Sequence, residues 1–169
     1  MQITHFVRYV AAAVVAAFHC ATPAAAAELT GTHSDWKTYR HGGGKNVMCF
    51  AVTSATEQNP TGGGRQAPHF YITAWPKQGI KAEVSVLLGF DLQPKSSIKV
   101  EIGGSTFTLF ADGDRAFVGQ AGEEQRLISA MRRGARMVVE ATSARGATSK
   151  DVYSLSGVTA SMQALRSCS

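Results

Sequence analysis

Ile98-Lys99-Val100-Glu101-Ile102, then Gly103-Gly104, then Thr106-Phe107-Thr108-Leu109-Phe110, carries the clearest pattern in the chain. Apolar and polar residues alternate on both sides of the glycine pair, the period of a strand with one buried face. A two-residue turn between antiparallel strands needs positive φ angles, which glycine adopts freely. The stretch therefore predicts a β-hairpin. The same period extends outward through Ile80-Lys81-Ala82-Glu83-Val84-Ser85-Val86, another half-buried strand. Val47 to Thr53 and Phe70 to Trp75 predict two well-buried strands, and His33 to Tyr39, around Trp36, a first one. Gly42-Gly43-Gly44 and Asp112-Gly113 break the pattern as turns, the second before a strand over Arg115-Ala116-Phe117-Val118. Glu57 to Gln66, rich in glycine and polar residues, reads as a long loop.

The period changes twice. Glu123 to Gly134 predicts a short helix with Glu123 and Glu124 in its first turn, Arg132 and Arg133 in its last, and Leu127 and Met131 on one face. Met137 to Ala141 and Asp151 to Leu155 return to strand. A second helix is expected from about Val158 to Arg166, capped by Ser156. Val158, Met162, Leu165 and Cys168 fall on one stripe of it, so the terminal cysteine should face the core. The expected fold class is mainly β: an antiparallel β-sandwich or distorted barrel with two short helices.

Before this domain stands a segment of another kind. Arg8, an apolar run from Tyr9 to Phe18 and the closing Ala24-Ala25-Ala26-Ala27 have the layout of a cleavable secretory signal. A membrane span is the poorer reading, because Arg8, His19 and Pro23 leave fewer than the roughly twenty apolar residues a span needs. Residues 1–27 are thus expected to be removed, and residues 28–169 to form one domain in the periplasm, at the outer membrane or at the cell surface. Losing Arg8 lowers the formal charge from +5 to +4. That balance favours anionic surfaces, including contact with a membrane surface, while export argues against nucleic acid as a partner.

Removal of the signal discards Cys20 and leaves Cys49 and Cys168. In an oxidising compartment two thiols most simply pair, two buried free thiols being the alternative. A disulfide between them closes nearly the whole domain, and on the chain-entropy account such a loop adds about 4–5 kcal/mol.

Motifs that carry chemistry are few. Gly42-Gly43-Gly44-Lys45-Asn46 lacks the spacing and the Ser or Thr of a phosphate loop. Asp112-Gly113-Asp114 reads as a turn with two solvated carboxylates, since the further ligands of a calcium loop do not follow. His33, His41 and His69 match no zinc spacing, Ser154 has no glycine two residues before it, and the disulfide would consume Cys49 as a nucleophile. No catalytic residue, metal site or cofactor is expected. One cluster invites a functional reading: Arg126, Arg132, Arg133 and Arg136, in and just after the first helix. Dipole placement accounts for most of it, and a patch for an anionic lipid, glycan or protein partner is the functional alternative.

The outline of an early Asp35-Trp36, one cysteine in the second strand and one at the C-terminal end is joined by a more specific last third. That third holds Ala130-Met131-Arg132-Arg133-Gly134, Arg145-Gly146, Asp151-Val152-Tyr153-Ser154-Leu155-Ser156-Gly157, and Ala164-Leu165 before Cys168. The mature chain resembles the invasion-associated locus B family of alphaproteobacteria. The resemblance implies export to the periplasm or outer membrane, and the family's namesake is linked to invasion of red blood cells by a pathogen. It brings no catalytic residues. Alternation places Asp151, Tyr153 and Leu155 on one face, where Tyr153 is expected to pack with its hydroxyl satisfied. The function expected is that of a non-enzymatic envelope protein acting by binding to an envelope or host-surface component. A periplasmic structural or stress-related factor is the first alternative, and an unrecognised enzyme the second.

Overall fold

A computed structural model describes residues 26–61 and 64–168. The expected secretory signal lies, apart from its last two residues, outside the described residues. The strands are β1 (Glu28–His33), β2 (Trp36–His41), β3 (Met48–Ser54), β4 (Glu57–Asn59), β5 (His69–Trp75), β6 (Ile80–Leu87), β7 (Ser97–Ile102), β8 (Ser105–Asp112), β9 (Arg115–Val118), β10 (Arg136–Thr142) and β11 (Thr148–Ser154). Two α-helices join them, α1 (Ala121–Arg133) and α2 (Val158–Arg166).

The strands form one antiparallel sheet in the order β1-β2-β3-β5-β6-β9-β8-β7-β10-β11-β4. The sheet is not closed, yet it curls until its ends meet. Three residues after leaving β3 the chain enters β4, at the opposite edge, and Thr56 N–H donates to Val152 O at 2.7 Å on the way. The Trp36 indole N–H reaches from β2 to Ser154 O of β11 at 3.1 Å. Inside the curl, Trp36 and Phe70 meet edge to face at 6.5 Å, and Phe70 meets Tyr153 at 5.7 Å. Such aromatic contacts between strands far apart in the ladder hold the curl together where backbone pairing does not.

The hairpin over β7 and β8 forms as read, with Ile102 opposite Ser105 and both turn glycines at positive φ. Three readings are corrected. The single strand over His33 to Tyr39 is two strands, because Ser34 takes a positive φ of 51° and turns the chain so that His33 pairs with Trp36. The loop Glu57 to Gln66 contains β4, a three-residue edge strand too short to show a period. Ser156 does not cap α2; the cap is Gly157, at φ 92°. A Cβ there would stand 1.8 Å from His33 O, so only glycine lets the start of α2 approach the β1–β2 turn, where Asp35 N–H donates to Ser156 O. Gly134 ends α1 for a different reason, space: a Cβ would lie 2.5 Å from Ile102 Cγ2.

The buried face of α1 consists of Leu127, Ala130 and Met131, and that of α2 of Val158, Ser161, Met162 and Leu165. The helix α2 lies on β1, β2, β3 and β5, while α1 packs on β8, β9 and α2. Cys168 follows on the stripe of α2 and is joined to Cys49 of β3 by a disulfide, with the Cα atoms 6.1 Å apart. The last helix is thereby fixed to the third strand of the sheet.

Candidate functional site

The residues that stand out in the sequence resolve into two groups, one committed to the fold and one left open. The segment Asp151 to Gly157 belongs to the first. Asp151 and Tyr153 are fully buried and Leu155 nearly so; the one face that alternation gave them lies on the core. Asp151 is paired with Arg65: Nη1 donates to Oδ1 at 2.9 Å and Nη2 to Oδ2, a bidentate geometry. Arg65 Nε donates to Leu88 O at 2.9 Å, and the guanidinium lies over the Phe90 ring at 4.7 Å. Ser154 O accepts from Trp36, Ser156 O from Asp35, and Gly157 seats α2. The motif is therefore a lock between β11, the β1–β2 turn and the segment after β4. The Tyr153 hydroxyl departs from expectation: it is buried with no hydrogen-bond partner among the described residues. Burial, and next the Asp151 carboxylate, push its pKa well above the usual phenol range.

The four arginines of the cluster differ in their contacts. Arg126 donates to Glu123 at 2.7 Å and lies over Phe107 at 5.9 Å. Arg133, at the end of α1, and Arg136, at the start of β10, are exposed. Arg132 alone faces α2, with Nε donating to Met162 Sδ at 3.2 Å. Of the four, only Arg132 lines a groove.

Arg132 instead stands at the rim of a groove of about 600 Å³ between α1, α2 and the ends of β5 and β6. The local sequence opens this groove. A register irregularity between Thr73 and Trp75 loosens the β5–β6 ladder, and Pro76-Lys77-Gln78 makes a short 3-10 turn before β6. The strand β9 pairs with β6 only from Ser85 to Leu87, so residues 80–84 have no strand beyond them. Glu124 of α1 covers that gap, its Oε1 accepting from Val84 N–H at 2.7 Å. Partial burial raises the Glu124 pKa, the bond from Val84 opposes the shift, and neighbouring Glu83 adds to it.

The groove floor is apolar: Ile72 and Ala74 from β5, Ile80 and Ala82 from β6, Ile128 from α1, Met162 and Leu165 from α2. Its polar side chains are all cationic, namely Lys81, Arg132 and Arg166, and no carboxylate lines it. None of the three makes an ion pair among the described residues. Cys168 of the disulfide also lines it. Arg132 and Ile128 are an i, i+4 pair, which brings them onto one side of α1. Lys81 and Arg166 were missed in the sequence because they come from elements 85 residues apart. The chemistry available here is binding: an apolar surface for a chain and guanidinium donors for an anion.

A family model described as Invasion associated locus B (IalB) protein matches residues 36–166. Among solved structures, the chain is similar to the crystal structure of invasion associated protein b from Bartonella henselae. The TM-score is 0.58 at 12% identity, covering 84% of this chain and 95% of that one, a likeness of fold. No curated protein matches the chain.

Proposed function

Because the chain belongs to the invasion associated locus B family, we propose that it is exported, loses residues 1–27, and acts in the periplasm or at the outer membrane or cell surface by binding, without catalysis. The observation that carries this reading is the groove between α1 and α2, with an apolar floor and three cations at its rim that have no ion-pair partner among the described residues. The unusual polar residues outside it, Asp151, Arg65 and Trp36, are tied into the core lock described above. A disulfide suits an oxidising compartment. The extension to host cells rests on names: the family's description and that of the Bartonella protein both speak of invasion.

The test is capture of a partner from the native envelope, and separately from host-cell membranes, by the mature protein. Wild type is expected to retain a component that Ile128→Glu, which places a carboxylate on the groove floor, does not retain. Arg133→Ala with Arg136→Ala, outside the groove, should retain it. Retention by all variants alike would remove the groove from the reading, and no retention from either source would remove binding itself.

A further inference from the structure

Resting on that binding reading, we infer that the groove takes a single-chain anionic amphiphile, a long-chain fatty acid, with its alkyl chain on the apolar floor and its carboxylate between Arg132, Arg166 and Lys81. Three observations converge on this class. The volume, about 600 Å³, lies within the range of about 300–1,000 Å³ that small-molecule sites occupy. The floor offers aliphatic side chains and one thioether, with no buried donor or acceptor that a polar ligand body would have to satisfy. The three lining charges share one sign and stand without a lining carboxylate, so the electrostatic complement is an anion.

The rim residues differ in how they could act. Arg132 is steadied by its contact with Met162, which ties its guanidinium to the facing helix. Such a fork matches a carboxylate in two-point geometry, and Arg166, one residue beyond Leu165 on α2, lines the same groove from the other helix. Lys81 adds a compact charge from β6. A sugar or a folded protein surface would leave the apolar floor poorly used; an acyl chain covers it and gains the burial of each methylene.

The experiment is displacement of 11-(dansylamino)undecanoate from the mature, disulfide-bonded chain, followed by fluorescence. Palmitate is expected to compete, and hexadecanol, with an equal chain and no charge, to compete roughly tenfold or more weakly, the scale of one charge-assisted contact. Arg132→Ala with Arg166→Ala should weaken palmitate to the level of hexadecanol and leave hexadecanol unchanged, a pattern that mere loss of folding would not produce. Ile128→Glu should abolish both, and Arg133→Ala with Arg136→Ala neither. Equal competition by the two ligands overturns the inference, as does displacement by phosphatidylglycerol vesicles but not by free palmitate. If no fatty acid binds while Ile128→Glu still loses the captured envelope component, the ligand class is wrong and the binding reading stands.

Discussion

Arg65 and Asp151, 86 residues apart, form a bidentate ion pair inside the core, with 6% of the arginine side chain and none of the aspartate exposed to solvent. A pair so placed is a poor source of net stability, because both ions have left water. Its effect lies in what its parts demand. Asp151 sits on the core face of β11 and must be answered, and the answer holds the segment after β4 against Leu88 and Phe90.

Replacing Arg65 with Met therefore leaves a buried carboxylate alone and should cost about 3–5 kcal/mol. Replacing both residues, Arg65→Met with Asp151→Leu, should recover most of that loss. Urea unfolding of the two single variants and the double variant gives the coupling directly; additive losses would mean that the two do not act as a pair.

The disulfide makes a separate prediction. Cys49→Ser with Cys168→Ser should lower stability by about 2–5 kcal/mol. The native chain should weigh two hydrogens less than its dithiol form, and alkylation without reduction should leave both cysteines unmodified.

Gly157→Ala places a Cβ against His33 O at a positive φ. It should lower the melting temperature more than Gly122→Ala, where a Cβ meets nothing within 4 Å. Trp36→Phe removes the indole donor and strands Ser154 O, which should cost about 1–3 kcal/mol besides the lost ring volume. Equal melting temperatures for the two glycine variants would count against the close seat of α2 on the β1–β2 turn.

Glu124 provides the pH test. Its folded pKa is raised by burial, so relative to the unfolded chain the protonated form is favoured, and the stability linked to that shift is present below about 4.5 and lost as pH rises through the folded value. Glu124→Gln keeps an oxygen for Val84 N–H without the charge. The variant should exceed wild type in thermal stability at neutral pH, and the gap should narrow as pH falls towards 4. A gap that widens on acidification would contradict the burial of this carboxyl.

What could be read from the sequence follows from period and from turn chemistry. The alternation in Ile98 to Phe110, the change of period at Glu123 and the stripe ending at Cys168 each reflect a local rule, and each element forms. The rule failed where geometry is decided at a distance. Ser34 turns the chain at a residue with no glycine signal, and β4 exists only because β11 needs a neighbour. Asp151 is answered by Arg65, which lies in a glycine-rich stretch with no period to place it. For the site, the arginines in and after α1 drew attention as a run, yet the fold keeps only Arg132 beside the groove and supplies Lys81 and Arg166 from elsewhere. A patch assembled from three elements leaves no spacing to find.

Native mass spectrometry of the protein isolated from its own envelope without detergent would show directly whether the groove carries an acyl ligand. The expected species is a chain beginning near Glu28 that carries an additional non-covalent mass in the fatty-acid range, lost in Ile128→Glu and kept in Arg133→Ala. A bare mature chain in wild type and variant alike would contradict the binding of an acyl ligand in the groove.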